Sequence, residues 1–141
     1  MHANTLREIH SAISGRMSDV SEKINRLEQA KRQINEEQNA CLGEIGKIKY
    51  PELAGSWMGK RAGDFQDARS DAYKAMSTII HVDYDDYQEK IEGKITMLNI
   101  EKTALNAAGT IAHEADALLG KGETFIEQLE SKISYLKGWL F

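Results

Sequence analysis

The chain has 141 residues, a length that suits one domain. Hydrophobic residues make up 41% and charged residues 28%, which is the range of ordinary globular proteins rather than of low-complexity chains. The formal net charge of −4 provides no basic footprint, so we expect no nucleic-acid partner.

Cys41 is the only cysteine, which excludes a disulfide within the chain. We interpret it as a seam residue rather than a redox site, because free cysteine commonly behaves as a small buried hydrophobe. The first residues are polar, and no stretch approaches the ~20 apolar residues of a membrane span. We therefore expect synthesis in the cytoplasm without a signal peptide, and no membrane span.

The first helix is predicted to span residues 5–48. Thr5 and Glu8 fit a capping box at its start, and Pro51 disfavours helix shortly after its end. Between these signals the apolar positions repeat every seven residues, at Leu6, Ile13, Val20, Leu27, Ile34, Cys41 and Ile48. An unbroken heptad series of this kind is typical of coiled-coil packing.

Two polar residues, Lys31 and Gln38, interrupt a second apolar row on the same helix. They are consistent with two roles. They could fix the register of the helix against its neighbour at some cost in stability. Alternatively, their long stems could lie along the apolar seam while their polar ends remain hydrated.

A bend is predicted over residues 49–59. It contains Pro51, the only proline, and Trp57, one of two tryptophans. We interpret Trp57 as an aromatic side chain that closes the end of the seam, while Gly59 lets the backbone turn close to it. Phe65 lies just beyond, at the head of the next helix.

The second helix is predicted over residues 57–119 and the third over 122–140, separated by Gly120 and Gly122. At ~1.5 Å per residue the three helices measure ~66, ~95 and ~28 Å. The fold class is therefore all-α: a long antiparallel helical hairpin, coiled-coil-like, with a short third helix folded back on the end of helix 2. We expect a single domain over residues 1–141.

The register follows from placing the bend near residue 52. Facing positions of helices 1 and 2 then have residue numbers that add up to about 104, which pairs Leu6 with Leu98 and Cys41 with Phe65. For helices 2 and 3 the numbers add up to about 241, which sets small residues against large ones. The same pairings could form between two chains in a swapped dimer.

Two helices side by side leave apolar flanks uncovered. Leu42, Met97 and Ile111 fall outside the predicted pairs, and Trp139 and Phe141 form an aromatic end to the chain. One such residue exposed alone would mean little. Together they predict a surface that binds another helical chain.

No catalytic constellation is present. The four histidines are not spaced to share a helix face, so metal binding is not expected. Asp83, Asp85, Asp86 and Glu89 lack the loop and glycine of a calcium hand, and we interpret them as a solvated helix face. We predict that the protein is not an enzyme and holds no metal or cofactor.

The bend resembles that of the WXG superfamily, in which Trp-x-Gly joins two antiparallel helices. The matching residues are Trp57, Gly59, Ala62 and Phe65. More specifically, the whole chain resembles the YwqH-like family. The stretches that carry this resemblance are residues 18–24, the bend from Pro51 through residues 62–65, residues 93–95 and 120–123, and the final residues 137–140.

The resemblance implies a non-enzymatic partner of LXG-type toxins in Gram-positive bacteria. Such a protein binds the helical N-terminal region of the toxin and supports its export by a type VII secretion system. Another small WXG-like protein is a further implied partner. The chain departs from many substrates of this pathway because it has no Tyr-x-x-x-Asp/Glu motif; Tyr84, for example, is followed four residues later by Gln88. Either the partner supplies the export signal, or this protein stays behind as a chaperone.

Two functional hypotheses remain. The first is this helical adaptor. The second is a coiled-coil scaffold that associates with itself, as a homodimer, and has no role with a toxin. Light scattering distinguishes them, because a stable homo-oligomer without a residual binding surface favours the scaffold.

A Trp57→Ala change tests the role of the bend. We expect it to lower the free energy of unfolding by ~3 kcal/mol or more, since removing a buried aromatic ring leaves a cavity. Thermal melting measures the effect. An unchanged melting temperature would show that the ring is exposed and would make the bend a candidate binding site.

Overall fold

The computed structural model describes residues 2–49 and 59–141, and these are helical almost throughout. In chain order the elements are α1 (His2–Ile45), a 3-10 turn (Gly46–Lys49), α2 (Lys60–Thr78), a π-helical segment (Ile79–Asp83), α3 (Tyr84–Gly120), a 3-10 turn (Glu123–Phe125) and α4 (Ile126–Leu140).

The predicted all-α class is confirmed: two long helical stretches pack together and a short helix follows at the C-terminal end. The first long stretch is α1 with its 44 residues, and the second combines α2, the π-helical segment and α3. Within the described part of the chain there is no β-strand, and none of the helices is long and apolar enough to cross a membrane.

The start of α1 differs from the prediction. The helix begins at His2, so Thr5 lies inside its first turns and is not the N-cap of a capping box. The two preceding residues, Ala3 and Asn4, contain no helix breaker, and the helix extends through them.

The start of α2 also differs, and Gly59 explains it. This residue has φ of +107° and ψ of −178°, a combination that is essentially restricted to glycine, so a regular helix cannot pass through it. Its carbonyl accepts the first helical hydrogen bond, from the Gly63 N–H at 3.1 Å, and α2 therefore begins at Lys60. Pro51 and Trp57 lie outside the described residues.

The chain forms two compact units. The terminal unit contains Met1–Arg26 together with Ile95–Phe141, and the middle unit contains Leu27–Lys94. The single-domain organisation stays a prediction.

The buried apolar side chains lie very unevenly. Of those found among the described residues, Ile80 alone belongs to the middle unit. The others all belong to the terminal unit: Leu6, Ile9, Ile13, Val20, Ile24, Leu98, Leu105, Ala108, Ala112, Ala115, Leu118, Leu129, Ile133, Leu136 and Leu140.

Three helices account for the core of the terminal unit. α4 contributes Leu129, Ile133 and other large side chains, and α3 contributes three alanines and three leucines. The exact pairing of small with large residues between these helices stays a prediction. Polar contacts connect α4 to both of its neighbours. Lys132 Nζ donates to Glu114 Oε2 of α3 at 2.7 Å, and His2 of α1 lies 3.6 Å from a Glu130 carboxylate oxygen.

The register between the long helices is not the predicted one. In the middle unit Lys31 forms an ion pair with Glu92, and Gln38 donates to Asp85 at 2.8 Å. In both pairs the residue numbers add up to 123 rather than about 104. The same total holds within the terminal unit for His10 and His113, whose ring centroids are 5.5 Å apart. The expected pairing of Cys41 with Phe65 is therefore wrong.

The periodicity of the sequence explains this error. The two registers differ by 123 − 104 = 19 residues, which is about five turns of an α-helix. Apolar residues that recur every three or four positions meet apolar residues again after any slide by whole turns. The apolar pattern alone therefore leaves several registers nearly equivalent, and specific polar contacts distinguish them.

The alanine face of α3 provides a test of the packing. Ala112 is fully buried, so Ala112→Leu forces extra carbon atoms into a filled space and should lower the free energy of unfolding by ~1–3 kcal/mol. The matched change Ala107→Leu, at an exposed position of the same helix, should stay within about 0.5 kcal/mol. Urea unfolding measures both. Equal unfolding midpoints for the two variants would contradict the packing described.

Candidate partner-binding surfaces

The middle unit carries a set of exposed apolar side chains, here called the hairpin flank. Its members are Leu42 of α1, Phe65 and Met76 of α2, Ile79 and Val82 of the π-helical segment, and Tyr87 of α3. Phe65, Met76 and Ile79 are separated by eleven and three residues, which places them on one face of a helix. Phe65 is 52% exposed.

The hairpin flank is uncovered because, among the described residues of this unit, only two helical stretches meet. The residues of α2 that are best protected from solvent, such as Tyr73 and Ser77, are half-buried, and no residue of α2 is fully buried. A helix pair can cover one stripe of each helix and no more. Side chains beside that stripe remain at the surface, where another helix could cover them.

The π-helical segment is held from the facing helix by Gln38. Its Nε2 donates to the Ile80 carbonyl at 2.7 Å and to Asp85 Oδ1 at 2.8 Å, while its Oε1 accepts from Gln88 Nε2 at 3.1 Å. Of the two roles that the sequence left open for Gln38, these contacts support the first. A slide of one turn would break all three bonds, so Gln38 helps to fix the register.

Cys41, Glu37 and Tyr84 form a further contact between α1 and α3. Cys41 Sγ donates a weak hydrogen bond to Glu37 Oε1 at 3.9 Å. Desolvation raises the pKa of the Tyr84 phenol above its ordinary value of 10.0, and Cys41 and Glu37 raise it further. The raised pKa favours the neutral phenol in the folded chain, so its contribution to stability is present at neutral pH and falls as pH rises above 10. This position of Cys41 agrees with a seam residue.

A second candidate surface lies in the terminal unit, along one stripe of α3. Its members recur at steps of three and four residues: Met97, Ile100, Ala104, Ala108, Ile111, Ala115 and Leu118. Ala108, Ala115 and Leu118 are buried, and Ile111 is half-buried. Met97 and Ile100, at the other end, are 64% and 65% exposed.

The length of α4 explains where the burial stops. Its 15 residues measure ~22 Å, whereas the stripe from residue 97 to residue 118 measures ~32 Å. A short connection joins α3 to α4, so the two helices run antiparallel and α4 covers the C-terminal part of the stripe first. The uncovered residues Met97 and Ile100 and the end of α4 therefore lie at the same end of this helix pair.

Arg16 fixes the end of α4. Its Nη2 donates to the Leu140 carbonyl at 2.6 Å, which satisfies one of the acceptors left free at a helix C-terminus. The same guanidinium lies 5.9 Å from the ring of Trp139, at cation–π distance. Trp139 is nonetheless 38% exposed and Phe141 is 74% exposed. We call Met97, Ile100, Trp139 and Phe141 the α4-end patch.

Of the five predicted partner-binding residues, Leu42 belongs to the middle unit and the other four to the terminal unit. Met97, Trp139 and Phe141 are exposed, whereas Ile111 is partly covered. Ile100 was not predicted. Its distances of three residues from Met97 and four from Ala104 were the signal that could have identified it.

Two histidines meet across α1 and α3. His10 Nε2 lies 2.7 Å from Asp116 Oδ2, and His113 Nδ1 lies 4.0 Å from the same oxygen. The predicted register hid this cluster, because it placed His10 about five turns away from His113. Within residues 2–49 and 59–141, no group of three or more His, Cys, Asp or Glu is arranged to hold a metal ion. The contacts connect α1 to α3.

The helical fold and its uncovered apolar surfaces are those of a small helical module compatible with protein–protein interaction. The model of the YwqH-like family matches residues 2–114. The chain is 38% identical to Protein YwqH of Bacillus subtilis (strain 168) over 138 residues, which are 98% of this chain and 99% of that protein. No solved structure matches the chain. The chain belongs to the YwqH-like family, as the motifs indicated.

Gln38→Ala tests the register contacts. We expect it to lower the free energy of unfolding by ~1–2 kcal/mol, because it removes hydrogen bonds to a partly buried carbonyl and to two side chains. The control is Gln29→Ala, at an exposed position of the same helix. Chemical denaturation compares the two variants, and an equal loss in both would show that Gln38 does not fix the register.

Proposed function

We propose that this protein is a non-enzymatic helical adaptor. It binds the helical N-terminal region of an LXG-type toxin and supports the export of that toxin by a type VII secretion system. The observation that carries the proposal is the hairpin flank, a set of large apolar side chains left exposed on a helix pair. Membership in the YwqH-like family supports it, and the toxin partner follows from the resemblance of the sequence.

The mechanism is burial of the hairpin flank against partner helices. Apolar area removed from water contributes ~25 cal/mol per Å², so covering several large side chains favours association. A helix is the expected occupant. The exposed apolar residues of α2 recur with the spacing of one helix face, and such a face packs against another helix. The partner would complete, for the middle unit, the cover that α4 gives the terminal unit.

The proposal allows two fates for the adaptor itself during export of the toxin. If the partner supplies the export signal, the adaptor leaves the cell bound to it. If the adaptor acts as a chaperone, it remains in the cytoplasm after the toxin has been exported. Immunoblots of the cell and culture fractions distinguish the two.

Co-expression tests the adaptor function. The chain is expressed with the N-terminal helical region of an LXG-domain toxin, and we expect the two to co-purify. In addition, Met76→Glu with Ile79→Glu should weaken the complex at least tenfold, because two charges would be buried at the flank. The affinity is measured by titration calorimetry.

The matched control adds two carboxylates at exposed positions of α2 outside the flank, through Ala75→Glu with Thr78→Glu. It should bind within twofold of the unchanged protein. Absence of co-purification would count against the adaptor. If light scattering then showed a stable homodimer that the flank variant dissociates, the self-associating scaffold would be favoured.

A further inference from the structure

We infer that the α4-end patch is the docking site for one amphipathic helix of the partner, which lies on α3 as a continuation of α4. This inference rests on the proposed function and identifies a second contact surface, separate in sequence from the hairpin flank. It concerns Met97, Ile100, Trp139 and Phe141, all within the terminal unit.

The continuity of the α3 stripe points to a helix as the occupant. Along the covered part of the stripe, α4 packs beside α3, to which Lys132 connects it through Glu114. α4 is amphipathic, and its Leu129, Ile133 and Leu136 are buried. The stripe keeps the same three-and-four spacing beyond the end of α4, through Ile100 to Met97. Because the uncovered part of the stripe has the same periodicity and direction as the part beside α4, it can pack against another α-helix in the same way.

The side chains of the patch also define the occupant. Under α4 the α3 stripe consists mainly of alanines, and α4 fills the space with large residues. Beyond the end of α4, the side chains of the stripe are large, because they are Met97 and Ile100. A helix at the same distance from α3 must therefore present small residues there, since packed layers place small residues against large ones.

At the end of α4, contacts within the chain order an exposed aromatic side chain before any partner binds. Arg16 bonds the Leu140 carbonyl and lies over the Trp139 ring, so this aromatic side chain is held in place while part of it faces solvent. A side chain that is already ordered loses little conformational freedom on binding. Tryptophan and arginine are also enriched among the residues that dominate binding energy.

A second copy of this chain fits the patch less well than a partner helix. The four side chains expose on the order of 500 Å² together, because a large apolar side chain presents ~150–250 Å² when fully open. A stable interface usually buries ~800 Å² on each partner. The patch is too small to hold a homodimer alone, but it suffices as one part of a longer contact with a helical partner.

The test uses the full chain and the N-terminal helical region of the same LXG-domain toxin. Met97→Glu with Ile100→Glu should raise the dissociation constant at least tenfold, because both residues would be covered by the docked helix. The matched control is Asn99→Glu with Thr103→Glu, two exposed positions of α3 outside the stripe, and it should bind within twofold of the unchanged protein. Circular dichroism melting checks that both variants fold.

A second measurement reports the contact directly. Ile100→Cys in a Cys41→Ser background carries an environment-sensitive fluorophore, whose emission should shift to the blue when the partner region is added. No shift, together with unchanged affinity of the Met97→Glu, Ile100→Glu variant, would overturn the docking site while leaving the adaptor function intact. A dimer of the unchanged chain that this variant dissociates would also overturn it. Failure of the unchanged chain to bind the partner region would refute both proposals.

Discussion

The packing of α1 and α4 against a face of α3 that is rich in alanine is the interaction on which the structure depends. Ala108, Ala112 and Ala115 are small enough to let two neighbouring helices approach closely, and large side chains from both sides then fill the core. A fully buried Leu or Ile contributes ~1.5–3 kcal/mol relative to an exposed one. The buried residues described are concentrated in this unit, so most of the apolar stabilisation arises there.

The middle unit has two helical stretches among its described residues, α1 and the stretch that runs from α2 into α3, and no third stretch packs against them. Its helix pair covers one seam, and among the described residues of the unit Ile80 is the buried apolar one. Polar contacts therefore have a larger share in specifying how these helices align, through Gln38 and the ion pair of Lys31 with Glu92. The missing third stretch also leaves the hairpin flank exposed to solvent. The feature that limits apolar burial in this unit is therefore the same one that leaves a surface for a partner.

The sequence predicted the fold class and the order of two long helices and a short one, because these depend on periodicity and on breakers such as Gly120 and Gly122. It did not predict the register, since a repeating apolar pattern matches itself after a slide of whole turns. The helix starts were missed for local reasons: nothing stops α1 before Thr5, and Gly59 takes a backbone conformation that only the structure reveals.

The candidate surfaces were predicted only in part. Met97 was identified as a residue outside the predicted pairs, and Trp139 and Phe141 as an aromatic end of the chain; all three are exposed. Phe65 was paired with Cys41 and is exposed as well. Ile100 was missed. Exposure along α3 depends on where α4 ends, and the contribution of a third helix cannot be read from the pattern of one helix. The roles of these residues in binding stay predictions.

The π-helical segment has a consequence for how sequences of this kind can vary in length. Tyr84 donates its backbone N–H to the Ile79 carbonyl five residues back, so the segment holds one residue more than an α-helical turn would. Loss of a single residue there would restore the regular α-helical ladder, and α2 would keep its rotational alignment with α3, because a π turn accommodates one extra residue within about one revolution. Phe65 and Met76 would then stay on the same face. The segment can therefore gain or lose one residue while the flank is preserved, so relatives with the same surface can differ by one residue at this point.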